Sequence, residues 1–145
     1  MKKLILTFVT VVLLAVGIVG CAAPDTKEKE TSNEVNHAKV VNNLKISIKK
    51  VAVAEKGKSK QLELDMLVVN NDSIEQPIGA NDFKLKTPDG KTKAIDGSAV
   101  NFGAVIKKGK QLEGKMYFEV PESVTEGTVV YQPEKKVLAE WKIKF

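Results

Sequence analysis

The residues Gln-Leu-Glu-Gly-Lys-Met-Tyr-Phe-Glu-Val-Pro at 111–121 alternate without a break. Leu112, Gly114, Met116, Phe118 and Val120 fall on one side, and Gln111, Glu113, Lys115, Tyr117 and Glu119 on the other. Period two is the repeat of a β-strand with one buried face, whereas a helix needs apolar residues three and four apart. Only one register serves such a strand, because a slip of one residue turns the whole apolar set to solvent. Pro121 ends the run, having no N–H to give to a ladder.

The same rhythm recurs along the chain. Leu44, Ile46 and Ile48 alternate with Lys45, Ser47 and Lys49, then the phase slips at Lys49-Lys50 and resumes with Val51 and Val53. Such a slip predicts a β-bulge or a strand that changes sheets. After a turn at Lys56-Gly57-Lys58-Ser59, the residues Leu62, Leu64, Met66 and Val68 oppose Glu63, Asp65 and Leu67. Phe83 and Leu85 form a short strand closed by Thr87-Pro88-Asp89-Gly90, where proline presets one turn angle and glycine relieves another, so a hairpin into Lys93-Ala94-Ile95 is expected. Residues 128–131 make a further strand. The end of the chain alternates Val137, Ala139, Trp141, Ile143 and Phe145 against Leu138, Glu140, Lys142 and Lys144, which predicts a packed final residue. No window holds helical spacing over three turns. About seven or eight short strands in one folded unit predict an all-β chain, an antiparallel immunoglobulin-like β-sandwich over residues 39–145.

The start of the chain obeys different rules. Met1-Lys2-Lys3 is a short basic segment, and residues 4–20 are uncharged and mostly aliphatic, the layout of an export signal and short for a membrane span. The run ends in Ile18-Val19-Gly20-Cys21, which contains the only cysteine of the 145 residues. This ending resembles the lipobox of bacterial lipoprotein signal peptides. The resemblance implies cleavage after Gly20, removal of residues 1–20, and a diacylglycerol thioether on Cys21, with attachment to the outer face of the cell membrane. Two acyl chains suit that role, because a single chain holds a protein only marginally. Residues 21–38 are polar and aperiodic and are expected to form a disordered tether.

Charge excludes some functions. The 23 basic residues are all lysine, against 18 acidic ones, for a formal charge of +5. Without arginine the chain lacks the planar fork that usually reads phosphates and guanine edges, so no nucleic-acid partner is expected. The one histidine, His37, lies in the predicted tether. No nucleophile therefore has an imidazole base within the predicted domain, and no zinc or copper ligand set is apparent. Neither a catalytic residue, a metal site nor a cofactor beyond the lipid on Cys21 is expected. Glu63 and Asp65 are two apart on one strand face and are read as solvated. Asn70, Asn71, Asp72, Asn81 and Asp82 offer oxygens, but without the spacing of a calcium loop they read as turn residues.

Two surface features are candidates for binding. Tyr117 lies on the charged face of its strand, where a tyrosine can anchor a partner or pack across strands. Lysines collect at 56, 58 and 60, at Lys107, Lys108 and Lys110, and at 135 and 136. If those turns met at one end of the sandwich they would form a basic rim for an anionic cell-wall polymer or lipid headgroups; otherwise they keep turns soluble and edges unpaired.

The run LELDMLVVNNDSIEQPIGANDFKLKTPDGKTKA, followed by IKKGKQLEGKMYFEVPES, resembles the telokin-like, immunoglobulin-fold domain of many exported proteins and lipoproteins of Gram-positive bacteria. That family is related to a mycobacterial secreted antigen. Its common proline-glycine before the last of these strands is Lys108-Gly109 here. The resemblance implies the fold and assigns no activity. The expected function is a membrane-anchored, extracytoplasmic, non-enzymatic lipoprotein whose domain binds another envelope component. The alternative is an accessory lipoprotein that captures a ligand or ion for a transporter, which would need a lined pocket rather than a flat contact surface.

Overall fold

The computed structural model describes residues 33–145. Ten strands follow in order: β1 (Lys39–Val41), β2 (Leu44–Lys56), β3 (Ser59–Asn70), β4 (Gln76–Gly79), β5 (Phe83–Lys86), β6 (Thr92–Lys93), β7 (Gly103–Ile106), β8 (Gln111–Pro121), β9 (Glu126–Tyr131) and β10 (Ala139–Lys144). One turn of 3-10 helix, Ala80–Asp82, precedes β5. One sheet runs β1-β2-β3-β8, a second β10-β9-β5-β6, and β4 pairs with β7 in a separate ribbon. Every pairing is antiparallel. The chain is an antiparallel immunoglobulin-like β-sandwich.

The core lies where the alternation predicts. Leu62, Leu64, Met66 and Val68 of β3 and Met116, Phe118 and Val120 of β8 are buried, and Phe83, Leu85, Trp141 and Ile143 face them from the second sheet. Phe145 is packed against this core, and Lys60 lies over its ring with Nζ 5.6 Å from the centroid. The phase slip in β2 is a bulge between Ile48 and Lys50. Beyond it the inward phase returns at Val51, which packs against the core, while Val53 is 43% exposed.

Strands β1, β4 and β7 were not anticipated from the sequence. The β1–β2 hairpin turns on Asn42 (φ 48°) and Asn43 (φ 62°), a two-residue loop with both central residues left-handed. Asparagine tolerates that conformation better than other residues with a Cβ, so Val-Val-Asn-Asn-Leu is a hairpin signal. The ribbon strands hold four residues each, too few for alternation to show.

The fold also takes in residues before the boundary expected at residue 39. Residues 34–39 form a strap across the open side of the sandwich. The Glu34 N–H donates to the Lys142 carbonyl at 2.7 Å, while the Lys142 N–H donates to Glu34 Oε2 at 2.8 Å. Asn36 N–H donates to the Ile48 carbonyl at 2.7 Å, and Trp141 Nε1 donates to the His37 carbonyl at 2.9 Å. One segment thus ties the edge of β10 to the edge of β2. A polar sequence carries this without its own core, because backbone groups and the Glu34 carboxylate make the bonds on its side and Val35 packs against the apolar core. The His37 side chain remains exposed.

The outer edge of β8 is covered as well. Asp96 N–H donates to the Tyr117 carbonyl at 2.7 Å, Tyr117 N–H to Asn101 Oδ1 at 2.9 Å, and Phe102 N–H to the Lys115 carbonyl at 2.8 Å. The next step inserts Phe102 between the layers. Gly114 sits on the inward face of β8 without a side chain, and Phe102 occupies that space, 6.0 Å from Phe83 by ring centroids. A Cβ on Gly114 would stand 2.5 Å from Phe102 Cβ. Gly114→Ala should therefore lower unfolding stability by roughly 1–3 kcal/mol, as overpacking does. Gly97→Ala, where a Cβ meets nothing within 4 Å, should change it by less than about 0.5 kcal/mol. Urea denaturation of both variants checks the pair; equal midpoints would remove the wedge from the account.

Candidate functional site

The register of β3 on β8 settles whether the lysine turns meet. Ser59 opposes Pro121 and Val69 opposes Gln111, so the β2–β3 turn and the turn at residues 107–110 lie at opposite ends of the strand pair. At about 3.3 Å per residue those ends are roughly 35 Å apart. The lysines at 56–60 and at 107–110 do not form one rim. Their electrostatic states differ too. Lys56 is ion-paired with Asp96 and Glu119, at 2.7 Å each, and Lys60 is buried. Lys107, Lys108 and Lys110 are exposed and make no ion pair among the described residues. Lys135 and Lys136 lie in the β9–β10 loop, whose Pro133 shares a groove with Val105 and so belongs to the same end as residues 107–110.

That end is organised by Asn70, which continues the inward phase of β3 and is fully buried. Its Nδ2 donates to the carbonyls of Ile74 (2.8 Å) and Ile106 (2.9 Å), and its Oδ1 accepts from the Asp72 N–H at 2.8 Å. Its backbone N–H donates to the Lys110 carbonyl at 2.9 Å, and its carbonyl accepts from Gly109 at 3.0 Å. Gly109 has φ of 67°, which a glycine takes at no steric cost. A single side chain thereby fixes the loop after β3 and the turn before β8. The Asn71 N–H donates to the Asn43 carbonyl at 2.9 Å and adds the β1–β2 turn.

The other oxygen donors are spent locally. Asp72 accepts from the Ser73 N–H at 2.6 Å and from Gln76 Nε2 at 2.9 Å, and the Ser73 bond leads in holding its carboxyl below the usual range. Asp82 accepts from the Gly79 N–H at 2.8 Å, next to Asn81 in the 3-10 turn. Among the described residues no three His, Cys, Asp or Glu side chains converge as metal ligands.

Tyr117 is half-buried opposite Glu63, and its hydroxyl donates to Glu63 Oε2 at 3.0 Å. Lys115 bonds the other oxygen of Glu63 and lies 3.6 Å from Asp65 Oδ1. The Lys115 hydrogen bond is the main cause holding the Glu63 carboxyl below its ordinary value, while desolvation and then Glu63 push the Tyr117 phenol up. A general acid of the glycosidase kind needs a carboxyl raised toward neutrality. Glu63 is shifted the other way, so this face is a cross-strand polar ladder. Cys21 and Gly20 lie outside the described residues. Grooves such as those beside Tyr131 and beside Lys107 are open to solvent.

A family profile, a domain of unknown function designated DUF4352, matches residues 29–139. The chain belongs to the DUF4352 family. No curated protein matches this sequence. Among solved structures it is similar to ycdA of Bacillus subtilis, described as a candidate lipoprotein, with 19% identity and a TM-score of 0.62 over 78% of this chain. It spans 39% of ycdA's length. The yjhA protein of the same organism gives 12% identity and a TM-score of 0.62 over 78% of this chain and 99% of its own. The secreted protein MPT63 of Mycobacterium tuberculosis gives 21% identity and 0.52 over 68% and 82%. Identities this low establish the fold that DUF4352 takes here. They agree with the mycobacterial relationship read from the sequence.

The organising role of Asn70 escaped the sequence reading, although the signal was present: an asparagine in phase with Val68 on a buried face needs partners. Asn70→Ala leaves the Ile74 and Ile106 carbonyls without a donor, so a loss of roughly 1–3 kcal/mol in urea unfolding is expected. Stability should also depend on acid. The Lys56 hydrogen bond, followed by Ser98 and Gln61, holds the Asp96 carboxyl far down, and Lys56 likewise lowers Glu119. A carboxyl depressed by folding contributes stability above its unfolded value of about 4 and loses it as pH falls. The urea midpoint should stay level from pH 7 to 5 and drop below about pH 4.5, with a shallower drop in Asp96→Asn.

Proposed function

We propose that this DUF4352 protein is an extracytoplasmic lipoprotein, held at the membrane by diacylglycerol on Cys21, whose sandwich serves as a non-enzymatic interaction module. The observation that carries the reading is the spacing between anchor and fold. Ile18-Val19-Gly20-Cys21 is followed within twelve residues by Asn33, where the described chain starts, and then by the strap bonded to both sheets. Twelve residues span at most about 40 Å, so the domain stays near the bilayer. The fold likeness to a candidate lipoprotein and to a secreted protein supports an extracytoplasmic setting. The polar groups support an interaction role over chemistry, because Glu63, Tyr117, Asp96 and Lys56 are saturated by one another or by adjacent side chains. The partner class this favours is an envelope component met on an open surface.

Cys21→Ser in the full chain should abolish incorporation of labelled fatty acid and shift the protein from the membrane fraction to the medium. Unchanged labelling and membrane retention would overturn the anchor.

A further inference from the structure

Among the described residues the end of the sandwich built on Asn70 brings three features together. First, it exposes apolar side chains on short, pinned segments: Ile74 is 62% exposed and Val105 56% exposed. Both flank the Asn70 clamp, since Nδ2 of Asn70 bonds the Ile74 carbonyl and that of Ile106, the residue after Val105. Pro77, also exposed, is the register partner of Val105 in the β4–β7 ribbon. Second, Lys107 and Lys110 line one open groove with Val105, and Lys108 stands between them in the turn. These cations lack the carboxylate partners that hold Lys56. Third, the nearby aspartates are engaged locally: Asp72 directs its carboxylate into its own loop at Ser73 and Gln76, and Asp82, which lines the groove beside Pro77 and Val105, accepts from the Gly79 N–H, while Glu75 stands exposed and Glu134 stands exposed next to Lys135 and Lys136.

We propose that this tip contacts the bilayer, with Ile74, Pro77 and Val105 seated at the headgroup boundary and Lys107, Lys108 and Lys110 on anionic lipid phosphates. Exposed aliphatic residues beside basic ones are the composition of a peripheral membrane contact, where apolar burial and attraction to anionic lipid add. A soluble anionic polymer would use the lysines and leave the aliphatic residues wet. The inference rests on the lipid-anchor reading for its setting, because a twelve-residue tether holds the tip at an effective concentration in the millimolar range, where a weak contact suffices. The clamp supplies rigidity: the loop and turn are fixed before contact, so little ordering entropy opposes it.

The test uses the chain from Ala22 onward, which keeps the whole described sandwich and carries no lipid, so its outcome is independent of the Cys21→Ser result. Flotation with vesicles of phosphatidylglycerol and phosphatidylcholine, compared with phosphatidylcholine alone, should show binding only to the anionic vesicles and its loss at high salt. The Lys107→Gln, Lys108→Gln, Lys110→Gln triple variant should bind about 100-fold more weakly, at about fivefold per lysine. Val105→Ser should bind roughly threefold to tenfold more weakly, and Lys58→Gln at the opposite end should bind as the parent does. Absence of binding to anionic vesicles, equal binding to both vesicle types, or binding unchanged in the triple variant would overturn the proposal. Competition by soluble polyphosphate with Val105→Ser indistinguishable from the parent would assign the site to an anionic polymer and overturn it equally.

Discussion

The structure depends on β3. This twelve-residue strand pairs along its whole length with β2 on one side and β8 on the other, and every second residue from Lys60 to Asn70 is buried. Because side chains alternate strictly, the choice of which face is apolar fixes the register of three strands at once. It also fixes where the turns fall. The length of this central strand places the β2–β3 turn and the turn before β8 at opposite ends of the domain, so surface features carried by those turns act separately.

What the central strand does not supply is closure of the sandwich. The edges of both sheets present unpaired backbone groups, which other chains could extend. Here the chain covers them with irregular segments. Residues 34–39 tie β10 to β2, and residues 96–102 follow the outer edge of β8 before Phe102 enters the space left by Gly114. Each cover is short, polar and held by backbone hydrogen bonds plus one apolar contact, Val35 in the strap and Phe102 in the crossover.

The legible and illegible parts of the sequence divide along this line. Where a strand is long and half-buried, as at Leu62 to Val68 or Leu112 to Val120, alternation reveals the strand, its face and its end. The bulge at Ile48 and Lys50 was legible for the same reason, as a break in phase. Residues 34–38 read as disordered because composition reports on apolar burial, and the strap is held by backbone groups, the Glu34 carboxylate and the Trp141 indole rather than by a core of its own. Lys60 falls among surface cations by residue type, but it sits in the inward phase, buried, with its ammonium over the Phe145 ring. Asn70 was counted among turn oxygens, although its phase made it the last residue of a buried face. In both cases the strand's period carried more information than the residue type.

The same distinction governs how the charge of the chain should be read. A formal excess of five cations describes the whole sequence, yet a surface field is made by charges without a partner nearby. Lys56, Lys86, Lys91 and Lys115 each have a carboxylate within 2.9 Å or closer, and paired in this way they contribute little beyond their own neighbourhood. If residues 21–32 tether the domain as proposed, their reach of about 40 Å matches the length of the strands and chooses no orientation by itself. In the proposed bilayer contact the choice falls to the end that carries Lys107, Lys108 and Lys110, three neighbouring lysines with no ion pair among the described residues. Asn70 holds that end in shape, so in that proposal a buried amide sets the geometry of a contact it does not itself make.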